Sequence, residues 1–252
     1  YKERNPYIPC IIGGHHSSAI PERTLNEETV DYVVKGEGFI PVTELLRRLK
    51  EKREPDGIKG LWYGKNGQTV NGGQAEGIAD LDSLPFPAWD LLPMDKYRCH
   101  HWQTWDYNLE QAPYSVIYTS LGCPFHCDYC SVNMVYPNRR VRYRSPEKFV
   151  AELKILVEQY GVRYVEIIDD TLTVNTKHVV AICQAVIDAG LGDKISAWCF
   201  ARTDRSDLNL FKIMKRAGID WAFEGFESGN DTVLQGVSKK QTLEEIRQAV
   251  SN

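Results

Sequence analysis

Cys123-Pro124-Phe125-His126-Cys127-Asp128-Tyr129-Cys130 puts three of the chain's seven cysteines into eight positions. An odd cysteine count with such crowding points to a reducing compartment and a ligand role, not to a disulfide scaffold. Three thiolates on one tight loop can hold three corners of a [4Fe-4S] cube and leave the fourth iron open to an outside ligand. Zinc is the competitor. Structural zinc favours four closed ligands from two separated pairs, and His126 would point away from converging cysteine neighbours. Cys127 and Cys130 alone would suffice for a redox dithiol. Cys10, Cys99, Cys183 and Cys199 read as buried or incidental thiols. His15-His16, taken as lying on a strand, would face opposite sides and make a poor metal pair.

The elements that must position this loop fall into three stretches. Residues 1–53 carry a short apolar strand, Tyr7–Ile12, ending in Gly13-Gly14, and a second, Tyr32–Val34, ending in Gly36-Glu37-Gly38. A helix over Pro41–Lys52 follows, with Val42, Leu45, Leu46 and Leu49 on one face and Glu44 four before Arg48. Residues 54–113 are an irregular connector. Within it Asn66-Gly67 marks a tight hairpin, and Leu84-Pro85-Phe86-Pro87-Ala88-Trp89 excludes regular structure, because each proline removes a donor and restricts its predecessor. From 114 onward, strands and helices alternate. The strands are Ser115–Thr119, Tyr164–Ile168, Ala197–Ala201 and Trp221–Phe223. The helices begin at Ser145, about Thr176 and about Leu208, with Gly161, Gly190 and Gly218 as their stops. Thr242 and Glu245 form a capping box for a last helix. Four βα units imply parallel strands joined by right-handed crossovers. The fold class is α/β: a partial (βα) barrel over 114–252, preceded by part of an open Rossmann-like sheet.

Composition removes other classes. A net charge of −4 offers no blanket attraction for phosphate, so nucleic acid is not an expected partner. No run approaches the 18 or so apolar residues of a membrane span, and no signal peptide opens the chain. A cytoplasmic location is expected. The first residue is not Met, which suggests a piece of a longer protein.

The spacing Cys-x-x-x-Cys-x-aromatic-Cys after the first strand of a repeating βα domain resembles the radical S-adenosylmethionine (radical SAM) superfamily. That resemblance implies an enzyme in which Cys123, Cys127 and Cys130 hold a [4Fe-4S] cluster and an external donor such as flavodoxin or ferredoxin supplies electrons. Asp170, Arg202, Glu227 and Ser228, at or just after the ends of later strands, would position SAM, with Tyr129 beside its adenine. Residues at the carboxyl ends of barrel strands form the active face of βα barrels generally. Each has a simpler reading. Asp170 could cap the next helix, Arg202 could pair with Asp204 on the surface, and Glu227 could belong to a turn. The stretches around Gly13-Gly14 and Gly36-Glu37-Gly38 are similar to the second half of the cobalamin-binding domain that precedes many radical SAM barrels, and the connector Leu81–Asp90 is typical of that family. There the glycines would let backbone approach a bulky nucleotide tail. An Asp-x-His-x-x-Gly loop, whose His can ligate cobalt, is absent from the sequence. The resemblance implies methylation of an unactivated carbon in a small-molecule substrate. A cyclising or rearranging radical enzyme is the alternative within the family, and a non-catalytic Fe–S or zinc module the alternative outside it.

Overall fold

The computed structural model describes residues 2–100, 111–136 and 138–251. Residues 101–110 of the expected connector lie outside them. The chain divides into two compact units, Tyr1–Ala79 with Cys123–Arg140, and Asp80–Gly122 with Val141–Asn252.

In the first unit, strand β1 (Ile11–Ile12) pairs in parallel with β2 (Tyr32–Val34). The strand expected over Tyr7–Ile12 is only its last two residues. Pro6 and Pro9 withhold ladder donors from the rest. Parallel neighbours need a long crossover, and here it contains two helices the sequence reading missed, α1 (His15–Ala19) and α2 (Pro21–Glu27). His15 and His16 therefore open a helix instead of extending a strand. Helix α3 (Phe39–Lys50) starts two residues earlier than expected. Leu45 is fully buried, Arg48 Nε meets Glu44 Oε1 at 2.6 Å, and Leu46 is exposed despite its place on the apolar stripe.

The hairpin β3 (Leu61–Lys65) and β4 (Gln68–Asn71) turns on Asn66 and Gly67, both with positive φ, the conformation a two-residue turn requires. It does not belong to a connector. β3 pairs antiparallel with β2, giving the order β1-β2-β3-β4. Leu61 and Tyr63 complete one core with Val34, Leu45 and Ile58, in a compact unit that runs to Ala79. Helix α4 (Val132–Val135), just after the cysteines, also packs in this unit, against α1.

The second unit is built on four strands, β5 (Tyr114–Ile117), β8 (Tyr164–Ile167), β9 (Ser196–Ala201) and β10 (Ile219–Glu224). Consecutive strands pair in parallel in the order β5-β8-β9-β10. This sequential winding is that of an opened barrel. Between β5 and the first crossover helix, β6 (Ser120–Leu121) and β7 (Arg142–Tyr143) form a small antiparallel ladder.

Helix α5 (Pro146–Tyr160) begins where Ser145 accepts from the Lys148 amide at 3.1 Å, and ends at left-handed Gly161. Asn175 and Asp207 cap α6 (Thr176–Asp188) and α7 (Leu208–Arg216) in the same way. The buried stripe Phe149, Leu153 and Leu156 packs with Val179, Ile182, Val186, Leu210 and Met214 against Val165, Ile167, Ala197 and Cys199. Residues alternate along β9, so Trp198 and Phe200 point to the other face, where they make edge contacts with each other and Trp198 with Phe223. Helices α8 (Asp231–Gln235) and α9 (Leu243–Ser251) complete the unit. Thr242 and Glu245 make the reciprocal capping-box bonds ahead of α9.

Trp89 and Phe86 are both fixed within this unit. Trp89 is buried in the core and donates to Glu152 Oε1 at 3.2 Å. Phe86 lies under Lys148 and Arg144. The physical reason is the buried acceptor that α5 offers the indole.

Candidate active site

All seven cysteines are free. Cys123, Cys127 and Cys130 are half-buried on a loop without regular structure, tightened by a bond from the Cys130 amide to the Cys127 carbonyl at 3.0 Å. Cys99, Cys183 and Cys199 are fully buried. Burial pushes Cys183 up to about 12 and Cys199 higher still, which keeps both as thiols. Among the described residues no three His, Cys, Asp or Glu side chains gather closely enough for a single metal ion. A zinc tetrahedron with Zn–S near 2.3 Å needs sulfurs about 3.8 Å apart, whereas a cube gives each cysteine its own iron and a wider spacing. Three cysteine thiols on one loop are the donor set that a cube with one open iron takes.

The carboxyl ends of the parallel strands collect the polar residues singled out by sequence. After β8, Asp170 accepts from the Gly122 amide at 3.0 Å. It is not the cap of α6, a role Asn175 takes. Asp169 is buried and accepts from the amide and hydroxyl of Thr119 and the hydroxyl of Ser120. Burial pushes its carboxyl above the usual range, and those donors pull it back. After β9, Arg202 does pair with Asp204, at 2.9 Å, but the guanidinium is buried, not on the surface, and also donates to the Lys239 carbonyl at 2.9 Å.

Beyond β10, Glu227 has a φ of 61° and pairs with Lys239, whose ammonium also donates to the Gly225 carbonyl. Ser228 accepts from the Asn230 amide at 3.1 Å, so turn chemistry holds this corner. Lys239 and Gln241 were missed by the sequence reading. Nothing in their spacing links them to strands β9 and β10, yet Lys239 joins Arg202 to Glu227 and Gln241 reaches Thr203 and the Phe226 carbonyl. Tyr129 is more than half exposed.

In the first unit, Gly13-Gly14 and Gly36-Glu37-Gly38 lie at the carboxyl ends of β1 and β2, the edge where open α/β sheets bind ligands. A Cβ at Gly14 would meet nothing within 4 Å. Gly36 differs. A Cβ there would meet the Gln74 amide at 2.4 Å, so its space is used by the chain itself. Glu37 is likewise buried, accepting from the Ile78 amide, and Gly38 begins α3. Within the same unit His15 Nδ1 lies 3.2 Å from Ser131 Oγ, which joins the glycine edge to the residue after Cys130.

Residues 117–252 match the Radical SAM superfamily. The chain belongs to the radical SAM superfamily. Among similar radical SAM relatives, an uncharacterized methyltransferase of Pyrococcus horikoshii is 34% identical over 98% of this chain and 52% of its own length. The anaerobic magnesium-protoporphyrin IX monomethyl ester cyclase of Cereibacter sphaeroides is 28% identical over 95% of this chain and 38% of its own. The chain thus spans about half or less of these relatives. Among solved structures, the radical S-adenosylmethionine methyltransferase TsrM of Kitasatospora setae, with cobalamin and a [4Fe-4S] cluster bound, superposes with a TM-score of 0.73 at 19% identity, over 96% of this chain and 47% of that one. That likeness establishes the shared α/β fold. No helix among the described residues is long and apolar enough to cross a membrane.

Proposed function

We propose that this chain is part of a cobalamin-dependent radical SAM methyltransferase. Residues 1–79 would be the end of its cobalamin-binding domain and residues from 114 its radical SAM barrel. When bound, the [4Fe-4S] cluster and SAM supply a one-electron cleavage of a C–S bond, which yields methionine and a 5′-deoxyadenosyl radical able to take hydrogen from an unactivated carbon. The protein's part is to bind and orient. Cys123, Cys127 and Cys130 would hold the cluster, while Asp170, Arg202, Glu227 and Ser228, with Tyr129, would position SAM. Gly13-Gly14 would give a corrinoid its open edge, and Gly36-Glu37-Gly38 would brace that edge from β2.

One observation carries the methyl-transfer reading. The cysteine segment packs in the same compact unit as the glycine edge, with Ser131 bonded to His15. A methyl group carried on a corrinoid must come close to a radical made beside the cluster, and shared packing supports that proximity. The magnesium-protoporphyrin cyclase relatives favour a second reading, a radical enzyme that forms a ring. The substrate in either case would be a small molecule, with flavodoxin or ferredoxin as electron donor in the cytoplasm.

The test uses the complete protein, purified anaerobically with cobalamin supplied. Iron, corrinoid absorbance and cobalamin-dependent SAM cleavage are expected together. Iron with SAM cleavage but no corrinoid absorbance would sink the methyltransferase reading and leave the ring-forming one.

A further inference from the structure

The carboxyl end of β5 carries a buried polar network. Thr119, Ser120 and Asp169 are each at most 3% exposed. Asp169 accepts from the Thr119 amide at 2.6 Å, the Thr119 hydroxyl at 2.6 Å and the Ser120 hydroxyl at 2.5 Å. Thr119 Oγ1 also lies 3.1 Å from His178 Nε2. A hydroxyl has one proton, and with this one on Asp169 the His178 Nε2 is the donor to Thr119 Oγ1. Tyr143, the partner of Ser120 in the β6–β7 ladder, packs on the imidazole with centroids 4.6 Å apart.

Every residue of the run Thr119–Gly122 is thereby held. Thr119 and Ser120 are tied to Asp169, Ser120 and Leu121 pair with Tyr143 and Arg142, and Gly122 donates to Asp170. Cys123 is the next residue. Burying a carboxylate is costly unless its oxygens are satisfied. Here three donors satisfy it, and all three come from the two residues that open this run.

We propose that Asp169, Thr119 and His178 form a positioning relay that fixes the backbone from which the cysteine loop springs, and so sets how firmly the iron–sulfur cluster is held and at what potential it is reduced. The inference rests on the iron–sulfur reading of the three cysteines. It adds residues that lie outside the cysteine loop.

The test is made on the complete protein, reconstituted anaerobically with iron and sulfide, without SAM and without turnover. Thr119→Val keeps the shape and the amide but removes the hydroxyl. It is expected to lose iron to a chelator roughly tenfold faster than wild type, the low end of what outer partners of metal ligands contribute. Its midpoint potential and the EPR spectrum of its reduced cluster should shift too, and Thr119→Ser should restore all three. Should Thr119→Val fail to fold by circular dichroism, Asp169→Asn replaces it, since it retains an acceptor for the Thr119 amide but not for both hydroxyls. Wild-type iron loss, potential and EPR spectrum in whichever variant folds would overturn the relay and leave the cluster reading intact. A wild-type protein that binds no iron would overturn both.

Discussion

A thiol ligates iron as thiolate, and burial decides which of the seven cysteines can become one. Cys183 and Cys199 sit among apolar side chains of the core, and burial pushes both thiols up, toward the protonated form. Cys127→Ala is therefore expected to remove the iron of the reconstituted protein, while Cys183→Ala keeps it; colorimetric iron per chain decides. His178 gives a pH signature. Burial holds its imidazole below the ordinary value of 6.5. Below that pH the unfolded chain takes up a proton that the folded one resists, so stability falls as pH falls. In His178→Asn, denaturant midpoints measured from pH 7 down to 5.5 should show a shallower decline than in wild type. Gly122, with a φ of 99°, is the residue whose backbone no side chain suits. Gly122→Ala should cost about 1–2 kcal/mol in chemical unfolding.

Elements are fixed at their ends by caps and along their length by what they bury. Ser145, Pro146 and Gly161 delimit α5 in the sequence itself, and Ser145→Ala should cost about 1 kcal/mol. The same helix also holds the connector. Glu152 accepts from the Trp89 indole, and its second oxygen lies 2.6 Å from Arg144 Nη2, an ion-pair distance whose angle falls short of a hydrogen bond. Arg144 in turn donates to the Tyr118 carbonyl at the end of β5. Glu152→Ala leaves a buried guanidinium without its counter-charge and should destabilise the protein by about 3–5 kcal/mol. A loss below about 1 kcal/mol in urea unfolding would show that the latch does not hold the connector.

At the scale of the whole molecule, the cysteine segment and the glycine edge share one compact unit although more than a hundred residues separate His15 from Ser131. His15→Ala in the complete protein removes their hydrogen bond. Iron content should stay at the wild-type level. Corrinoid retention should fall about fivefold, the equivalent of the roughly 1 kcal/mol that one such bond contributes net. Corrinoid absorbance after gel filtration reads the difference, and undiminished retention would count against coupling through this contact.

The sequence alone determined what depends on neighbours a few residues apart. The spacing of Cys123, Cys127 and Cys130, the caps Ser145 and Thr242 and the stripe from Phe149 to Leu156 each lie within a few turns of chain, and the four βα units are such signals set end to end. They were legible because local geometry reads local spacing. The tertiary structure decided what depends on partners far along the chain. It drew the hairpin 61–71 into the first sheet, turned His15 onto a helix, ran Lys239 back to Glu227 and buried Asp169 beneath Thr119. The hairpin, Lys239 and Asp169 each had to find a partner a dozen residues or more away once water was excluded. Which partner it finds is settled by the packing of the sheet and not by any spacing in the chain.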